Sequence, residues 1–489
     1  MLRERFDDIE ILDLRGDHRG ALPAGRPKDE NVFAIQTGVC VITAWARGDK
    51  PPGRPARVRY ADIWDAGGFR RSEKLEVLRG AAAGSNSLVW RELPQDGMQN
   101  LKPLGFSELD WPGVDEVFRL KSNGIVTYRD DFAYATRQDV LAQRVQDFLT
   151  LDPVQASVAF KDTRSNSAAR AILVPFDDAA LTRISYRPMD RRWLYNRREY
   201  VDFPKRALQE AWGSTNHALF VLEDGTGAGP AAWCHGIKPD QHSFRGSTGG
   251  WVFPLINHTE GGSGHYLSPS LIAGLGLAYG IPPSAQQVFD AILALLSAPS
   301  YSRDFARDLE DAFPHIPFPA NPDVFAAAAA LGADIRALQG FTRPPGKAFR
   351  QARLLGRATG VTLQVPPPSR AFLQDGAGGG LIPLQEDQSL RLAHVPLAAW
   401  EFQVSGYPVL YRWLKAREGD ALDAAFTQDV LDLVWRLTEM VEVMGRADAV
   451  LASARSHPLT RGELNLPQPV PYGANAIHLD PDEHIESTS

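Results

Sequence analysis

The densest run of side chains able to do chemistry is YRPMDRRWLYNRREYVDFPKR, residues 186–206. It sets six arginines and Lys205 against Asp190, Glu199 and Asp202, with Tyr186, Trp193, Tyr195 and Tyr200 interleaved. A guanidinium is a planar fork that pairs with phosphate oxygens or a guanine edge, and aromatic rings stack on bases or stiffen a surface. The same composition also describes a salt-bridged strand and turn braced by aromatic packing. Composition leaves these two readings level.

Other segments offer less. GLGLAYG (274–280) has the glycines of a nucleotide loop but follows no clear strand and lacks a lysine, so a loop or helix-packing role fits it better. GAGGG (376–380) misses the dinucleotide fingerprint at its last position and reads as a flexible loop. EGGSGH (260–265) approaches a nucleophile elbow, with His265 where the closing glycine belongs. In WCHG (233–236), Cys234 and His235 are adjacent, and adjacent side chains point apart in most backbones. Methyl transfer to a base amino nitrogen needs a glycine-rich cofactor turn and an Asn/Asp-Pro-Pro-aromatic loop. The nearest approach, NPDVF (321–325), lacks the second proline and reads as a helix start, with Asn321 as cap and Pro322 as first helical residue. No catalytic residue is assigned.

Composition narrows the class. With 44% apolar and 23% charged residues, the chain is globular rather than unfolded, and 489 residues call for two or three domains. No stretch approaches the roughly 18 consecutive apolar residues of a membrane span. Cys40 and Cys234 have no CxxC spacing, which argues against a zinc or disulfide framework and for a reducing cytoplasm. A formal net charge of −7 counts against coating DNA by charge alone, but not against one local basic face.

The elements that must hold such a face fall into three stretches. IEILDL (9–14) reads as a buried strand, VFAIQTGVCVITAWA (32–46) as a second and a third, and VRYADIW (58–64) as another; strands this apolar normally have both faces covered. DKPPGRPA (49–56) breaks the run. From there to about 270, short apolar runs punctuated by DGTGAG, RGSTGG and EGGSGH suit hairpins and loops. Beyond 280, AQQVFDAILALLSAP and SRDFARDLEDAF read as helices stopped at Pro299 and Pro314, and VFAAAAALGADIRAL as a packed helix. Strands are expected near 361–366 and 398–411. From about 422 to 452, Val430, Leu433, Leu437, Met440, Met444, Ala447 and Leu451 recur at spacings of three and four, widened by Val434 and Val441. That stripe fits a helix in a bundle better than a two-chain coiled coil. The tail from 463, proline-rich and then acidic, is expected to be disordered.

The order of several motifs resembles the C-terminal part of type ISP restriction–modification enzymes and related adenine-specific DNA methyltransferases. ILDLRGD followed by KDENVFAIQTGVCVI resembles the closing strands of their methyltransferase domain. SNGIVTYRDDFAY (122–134), ISYRPMDRRWLY (184–195) and HYLSPSLIAGLGLAYG (265–280) resemble their target-recognition region, and ILALLSAPSYSRDFARDLEDAFPHIPFP (292–319) and WEFQVSGYPVLYRWLKARE (400–418) the segments that follow. The resemblance covers roughly residues 8–450, and its motifs are specific as a set rather than singly. It implies an α+β chain: trailing methyltransferase strands in 1–60, a mixed target-recognition domain in 61–320, an α-rich region in 321–462, and a tail in 463–489.

In that family the catalytic half binds S-adenosylmethionine, flips an adenine and methylates N6, while a nuclease and a translocating ATPase lie upstream. The resemblance here starts beyond the cofactor and Pro-Pro loops. It therefore implies a part that reads DNA sequence, binds no cofactor itself, and works with a methyltransferase subunit or upstream half carrying S-adenosylmethionine. On this reading Arg187, Arg191, Arg192, Tyr195, Arg197, Lys205 and Arg206 are the first candidates for contact with double-stranded DNA. Lys121, Asn123, Thr127 and Arg129 form a second group. Arg187 and Asp190 fit equally well as an internal pair shaping the turn. A defence scaffold that mainly binds proteins, through the 430–451 stripe and the partial sheet, is the alternative, with the remnant of a broken gene as a third reading. The opening strands are expected to mark a junction, because an unpaired strand edge invites another chain.

Overall fold

The computed structural model describes residues 2–16, 29–33, 35–47, 54–84, 88–93, 101, 105–213, 215–246, 248–258, 264–345, 352–356, 360–376 and 378–467. The N-terminal sheet has the order β2-β1-β3-β4, with β1 at Asp8–Asp13, β2 at Cys40–Trp45, β3 at Arg57–Asp62 and β4 at Arg91–Leu93. β1 and β3 run parallel, and the two outer strands are antiparallel to them. Alternation along β1 and β3 sends Ile9, Ile11, Val58 and Tyr60 to one face. Leu12, Leu14, Ala61 and Ile63 go to the other, where Leu75 and Leu78 of the helix Arg71–Ala82 cover them.

This sheet departs from expectation at β2. The stretch 32–46 yields one strand among the described residues, and that strand is open on both faces: Val41 and Ile42 are each 47% exposed and Trp45 43%. Among the described residues it occupies the rim, where only β1 pairs with it. Most of the break at 49–56 lies outside the described residues. Arg15 ties the sheet to the rest of the molecule by pairing with Asp62, Nη2 to Oδ2 at 2.6 Å, and with Glu310. Arg307 reinforces the junction through Asp65.

Two antiparallel sheets follow. One, ordered β6-β8-β7, is built on the hairpin β7 (Leu181–Arg187) and β8 (Asp190–Tyr195), with β6 at Tyr134–Ala135 beside β8. The other, ordered β10-β9-β11-β5, contains β5 (Ser122–Asn123), β9 (Ala218–Val221), β10 (Trp233–His235) and β11 (Trp251–Pro254). One large core joins the second of these sheets to the C-terminal helices and runs without a break across residue 320.

Three helices form the heart of that core: Ala285–Ser297, Pro322–Gln339 and Ala424–Ser456. Asn321 caps the second, its Oδ1 accepting from Asp323 N at 2.8 Å, and Pro322 opens it, as the sequence suggested. The regular stripe of the third helix is buried inside its own chain, from Val430 at 0% exposure to Leu451 at 0%. The scaffold reading had assigned this stripe to a partner, and intramolecular packing has already consumed it. Close approach of the first two helices rests on Gly332, where a Cβ would lie 1.7 Å from the Asp290 carbonyl oxygen. Arg336 brackets the crossing by pairing with Asp290 at 2.7 Å. Similarly, Gly274 in the helix Pro269–Tyr279 lets Leu464 pack against it, so GLGLAYG is a packing element.

Several local expectations need correction. SRDFARDLEDAF forms only the short helix Pro299–Asp304 and a 3₁₀ turn at Asp308–Glu310, because Asp308 turns to accept from the backbone of Gly105 and Phe106. The expected strand at 361–366 is reduced to a single bridge between Thr362 and Ala421. By contrast, 398–411 does carry strands, the short antiparallel pair Gln403–Val404 and Tyr407–Pro408, which leads into the helix Val409–Lys415. A four-stranded sheet from Arg353–Leu355, Leu373–Gln374, Gly379–Pro383 and Arg391–Pro396 lies between them. GAGGG therefore leads into a strand. The ordered chain also continues past 463, since Leu464 and Leu466 are buried, while 468–489 lie outside the described residues. No described helix is long and apolar enough to cross a membrane.

Adding one methyl group at position 332 tests the helix crossing. Gly332→Ala should destabilise the fold by at least about 1–3 kcal/mol through overpacking against backbone, read as a lower urea midpoint with an unchanged denaturant slope.

Candidate functional site

The basic hairpin folds inward. Its strands are joined by Pro188 and Met189, the latter at φ 61°, so Arg187 and Asp190 face each other across the ladder. They do not pair. Arg187, only 7% exposed, donates from Nη1 to Asp240 Oδ1 at 2.9 Å and to the Tyr186 carbonyl at 2.6 Å. Asp190, 1% exposed, receives Arg192 Nε at 2.9 Å and Arg417 Nη2 at 2.8 Å. The guanidinium groups of Arg187 and Arg192 each lie 3.9 Å from the centre of the Tyr186 ring. Tyr186 in turn donates to Asp130, and Tyr134 to Asp240, both at 2.9 Å.

Burial sets the titration of this network. It raises the Asp240 carboxyl despite the pull of Arg187. Burial also pushes Asp190 upward, yet Arg417 and Arg192 together hold it below its ordinary value. Arg191 donates to the Gly340 carbonyl and lies 3.9 Å over Phe341; burial and the nearby Arg436 and Arg183 bring its pKa down to about 10. Three of the arginines therefore brace the hairpin against the body of the protein.

The remaining candidates divide. Tyr195 is fully buried, its hydroxyl accepting from Asp177 N at 3.0 Å and its ring stacked on Phe176. Thr127 is also at 0% exposure and donates to Asp130 at 2.5 Å. Lys205, at φ 56°, is 3% exposed and lies 5.1 Å over Phe203. Asn123 donates to the Gly250 carbonyl at 3.2 Å. Arg197 is half-buried against Asp177 at 3.0 Å, Arg206 is exposed but paired with Glu210 at 2.7 Å, and exposed Lys121 sits 4.6 Å over the Trp251 ring. No single open basic face collects these side chains.

A junction of three loops appears instead around Arg129. This buried guanidinium pairs with Asp202 at 2.7 Å and donates to Tyr200 O at 2.9 Å, Thr163 Oγ1 at 3.0 Å and Lys161 O at 3.2 Å. It also lies 4.4 Å over Phe160. Loops 127–130, 161–168 and 200–206 are thereby fastened to one charge. Two exposed cations on the middle loop, Lys161 and Arg164, went unremarked in the sequence, and among the described residues neither has an ion-pair partner. Exposed Asp162 lies on the same loop, engaged in capping Ala168 N at 2.7 Å, and exposed Asp131 lies in the short helix Asp130–Ala133 that follows the first loop. The only available signal was two cations three apart among turn-forming residues.

Cys234 and His235 form no nucleophile pair. His235 sits between Ser185 Oγ at 2.8 Å and Ser243 Oγ at 3.0 Å, and burial lowers its pKa to about 3. Burial pushes the Cys234 thiol up. Among the described residues no cluster of His, Cys, Asp and Glu has the geometry to hold a metal ion.

Two measurements follow from this geometry. Arg129→Met leaves Asp202 buried without its cation and should cost about 3–5 kcal/mol of stability. Because the folded-state pKa of Asp190 is lowered, its contribution is complete above the ordinary carboxylate range and disappears as pH falls through the lowered value. Asp190→Asn should therefore flatten the acid side of a melting-temperature profile below about pH 4 while lowering stability near neutrality.

Comparison with known proteins gives this arrangement a context. A profile of the Type ISP C-terminal specificity domain matches residues 116–444, which include the hairpin, both antiparallel sheets and the Arg129 junction. No curated protein sequence matches the chain. Among solved structures, a nuclease-deletion mutant of the Type ISP restriction-modification enzyme LlaGI with a DNA substrate mimic is similar at TM-score 0.60 and 17% identity, over 92% of this chain and 37% of that one. The DrdV–DNA complex is similar at 0.62 and 19%, over 93% and 48%. The ATP-dependent Type ISP restriction-modification enzyme LlaBIII bound to DNA is similar at 0.60 and 17%, over 94% and 31%. At these identities the likeness is one of fold, and the chain spans about a third to a half of each structure. Since the profile covers most of the sequence, the chain belongs to the Type ISP C-terminal specificity domain family.

Proposed function

We propose that this chain reads DNA sequence for a restriction–modification system. The observation that carries the reading is the specificity-domain match over 116–444, which contains the arginine-braced hairpin and the loops fastened by Arg129. A sequence reader must hold its base-contacting groups in fixed register, because discrimination rests on a few side chains while phosphate contacts set the position. Buried Arg187 and Arg129, with half-buried Arg191 and Arg192, supply that rigidity. Phosphate contact falls to exposed Lys161 and Arg164 first, then to exposed Lys121 and Arg206 and half-buried Arg197. A local pair of cations such as Lys161 and Arg164 is compatible with a net charge of −7.

The chemistry served is N6-adenine methylation, with S-adenosylmethionine held by a methyltransferase partner or upstream half. Here GLGLAYG, the nearest approach to a nucleotide loop, is spent on packing against Leu464. The β2 rim, with Val41, Ile42 and Trp45 exposed, is where the partner's sheet adds on. The setting is cytoplasmic and the biological output is defence against phage. The scaffold alternative has lost its main support, because the 430–451 stripe is internal.

Duplex binding across a salt series tests the reading. The wild-type protein should bind with an affinity that falls steeply as salt rises, and Lys161→Ala with Arg164→Ala should reduce the log–log slope by about 2. Absence of binding from low to physiological salt, with and without a methyltransferase partner, would sink the proposal. Separately, Val41→Glu with Ile42→Glu should abolish co-purification with that partner and leave duplex binding unchanged.

A further inference from the structure

The Arg129 junction holds one residue in a conformation that its own packing does not explain. Tyr128 has φ 51°, in the left-handed region, where an aromatic side chain is strained and glycine or asparagine is the ordinary occupant. Its neighbours Thr127 and Arg129 are buried at 0% and 4%, whereas Tyr128 is 54% exposed. Thr127 is bonded to Asp130, and Arg129 is gripped by Asp202, Tyr200, Thr163 and Lys161, so the backbone on either side is fixed. Among the described residues, the ring packs perpendicular to Phe203 at 5.8 Å. Phe203 is braced by Lys205, a second non-glycine residue with positive φ. The fold thus invests strain in presenting an aromatic ring to solvent on a rigid base, beside the loop that carries exposed Lys161 and Arg164. Strain maintained by its surroundings at a surface position points to a ligand.

We propose that Tyr128 is a base-stacking residue that receives a nucleobase ring of bound DNA, with Lys161 and Arg164 contacting the flanking phosphates. The inference rests on the DNA-reading proposal and adds a specific side chain to it. Stacking needs the ring and not the hydroxyl, since any base unstacked from the duplex offers a π-face to an aromatic partner. Phenylalanine should therefore replace Tyr128 in function. Glycine should remove the function while suiting the backbone better.

The test uses the full chain and duplexes enriched from a randomised pool in which 5-iodouracil replaces thymine. Tyr128→Gly should melt no earlier than wild type, bind the enriched duplex about tenfold more weakly, and lose its photo-crosslink. Tyr128→Phe should bind like wild type, and mass spectrometry should map the wild-type crosslink to residue 128. If Tyr128→Gly binds as well as wild type, or the crosslink maps elsewhere while binding persists, the stacking role is overturned and the DNA-reading proposal stands. If wild-type protein enriches no sequence from the pool, the DNA-reading proposal falls and this one falls with it.

Discussion

Asp190 and Asp240 determine what the arginine-rich hairpin does. Each is an almost fully buried carboxylate, and leaving either without a cation in that environment would cost several kcal/mol. Arg187 satisfies one, while Arg192 and Arg417 satisfy the other. Arg417 comes from the segment following the helix Val409–Lys415, so the pair joins the hairpin to the C-terminal part of the chain. Once these bonds form, the hairpin is fixed to two distant segments, and two of its positive charges are directed inward.

The same arrangement recurs at Arg129. One guanidinium receives a carboxylate and three further oxygens from loops far apart in sequence, and an aromatic ring covers it. Arginine suits this role because its planar fork has five donors and remains charged at every relevant pH. A lysine would offer a point charge and lose the geometry. The consequence for function is a division of labour: buried arginines fix the shape of the loops, and exposed residues on those loops are left to meet a ligand.

Much of the architecture was legible in the chain. The three- and four-residue spacing of Val430 to Leu451 determined a long packed helix, and Asn321-Pro322 marked a helix start, because both depend on local periodicity and capping. The apolar run in IEILDL determined β1. The ordered motifs also determined the family. Local pattern failed where a distant group intervened. SRDFARDLEDAF has helical composition, yet Asp308 is drawn to Gly105 and Phe106, about 200 positions away in sequence, and the helix ends early.

Tertiary structure alone decided the character of the site. The sequence counted arginines and carboxylates in 186–206 but could not assign partners, because Asp240, Arg417 and Gly340 lie far outside that segment. It left Arg187 and Asp190 as a plausible pair; the folded chain gives each a different partner across another interface. It also treated Arg129 as a surface cation and passed over Tyr128, since neither burial nor a positive φ is written in residue type. Composition and spacing determine which elements form and what charge they carry. Which charges remain available to solvent depends on long-range pairing, and that is settled only when distant segments meet in a medium where an unpaired charge is too costly to bury.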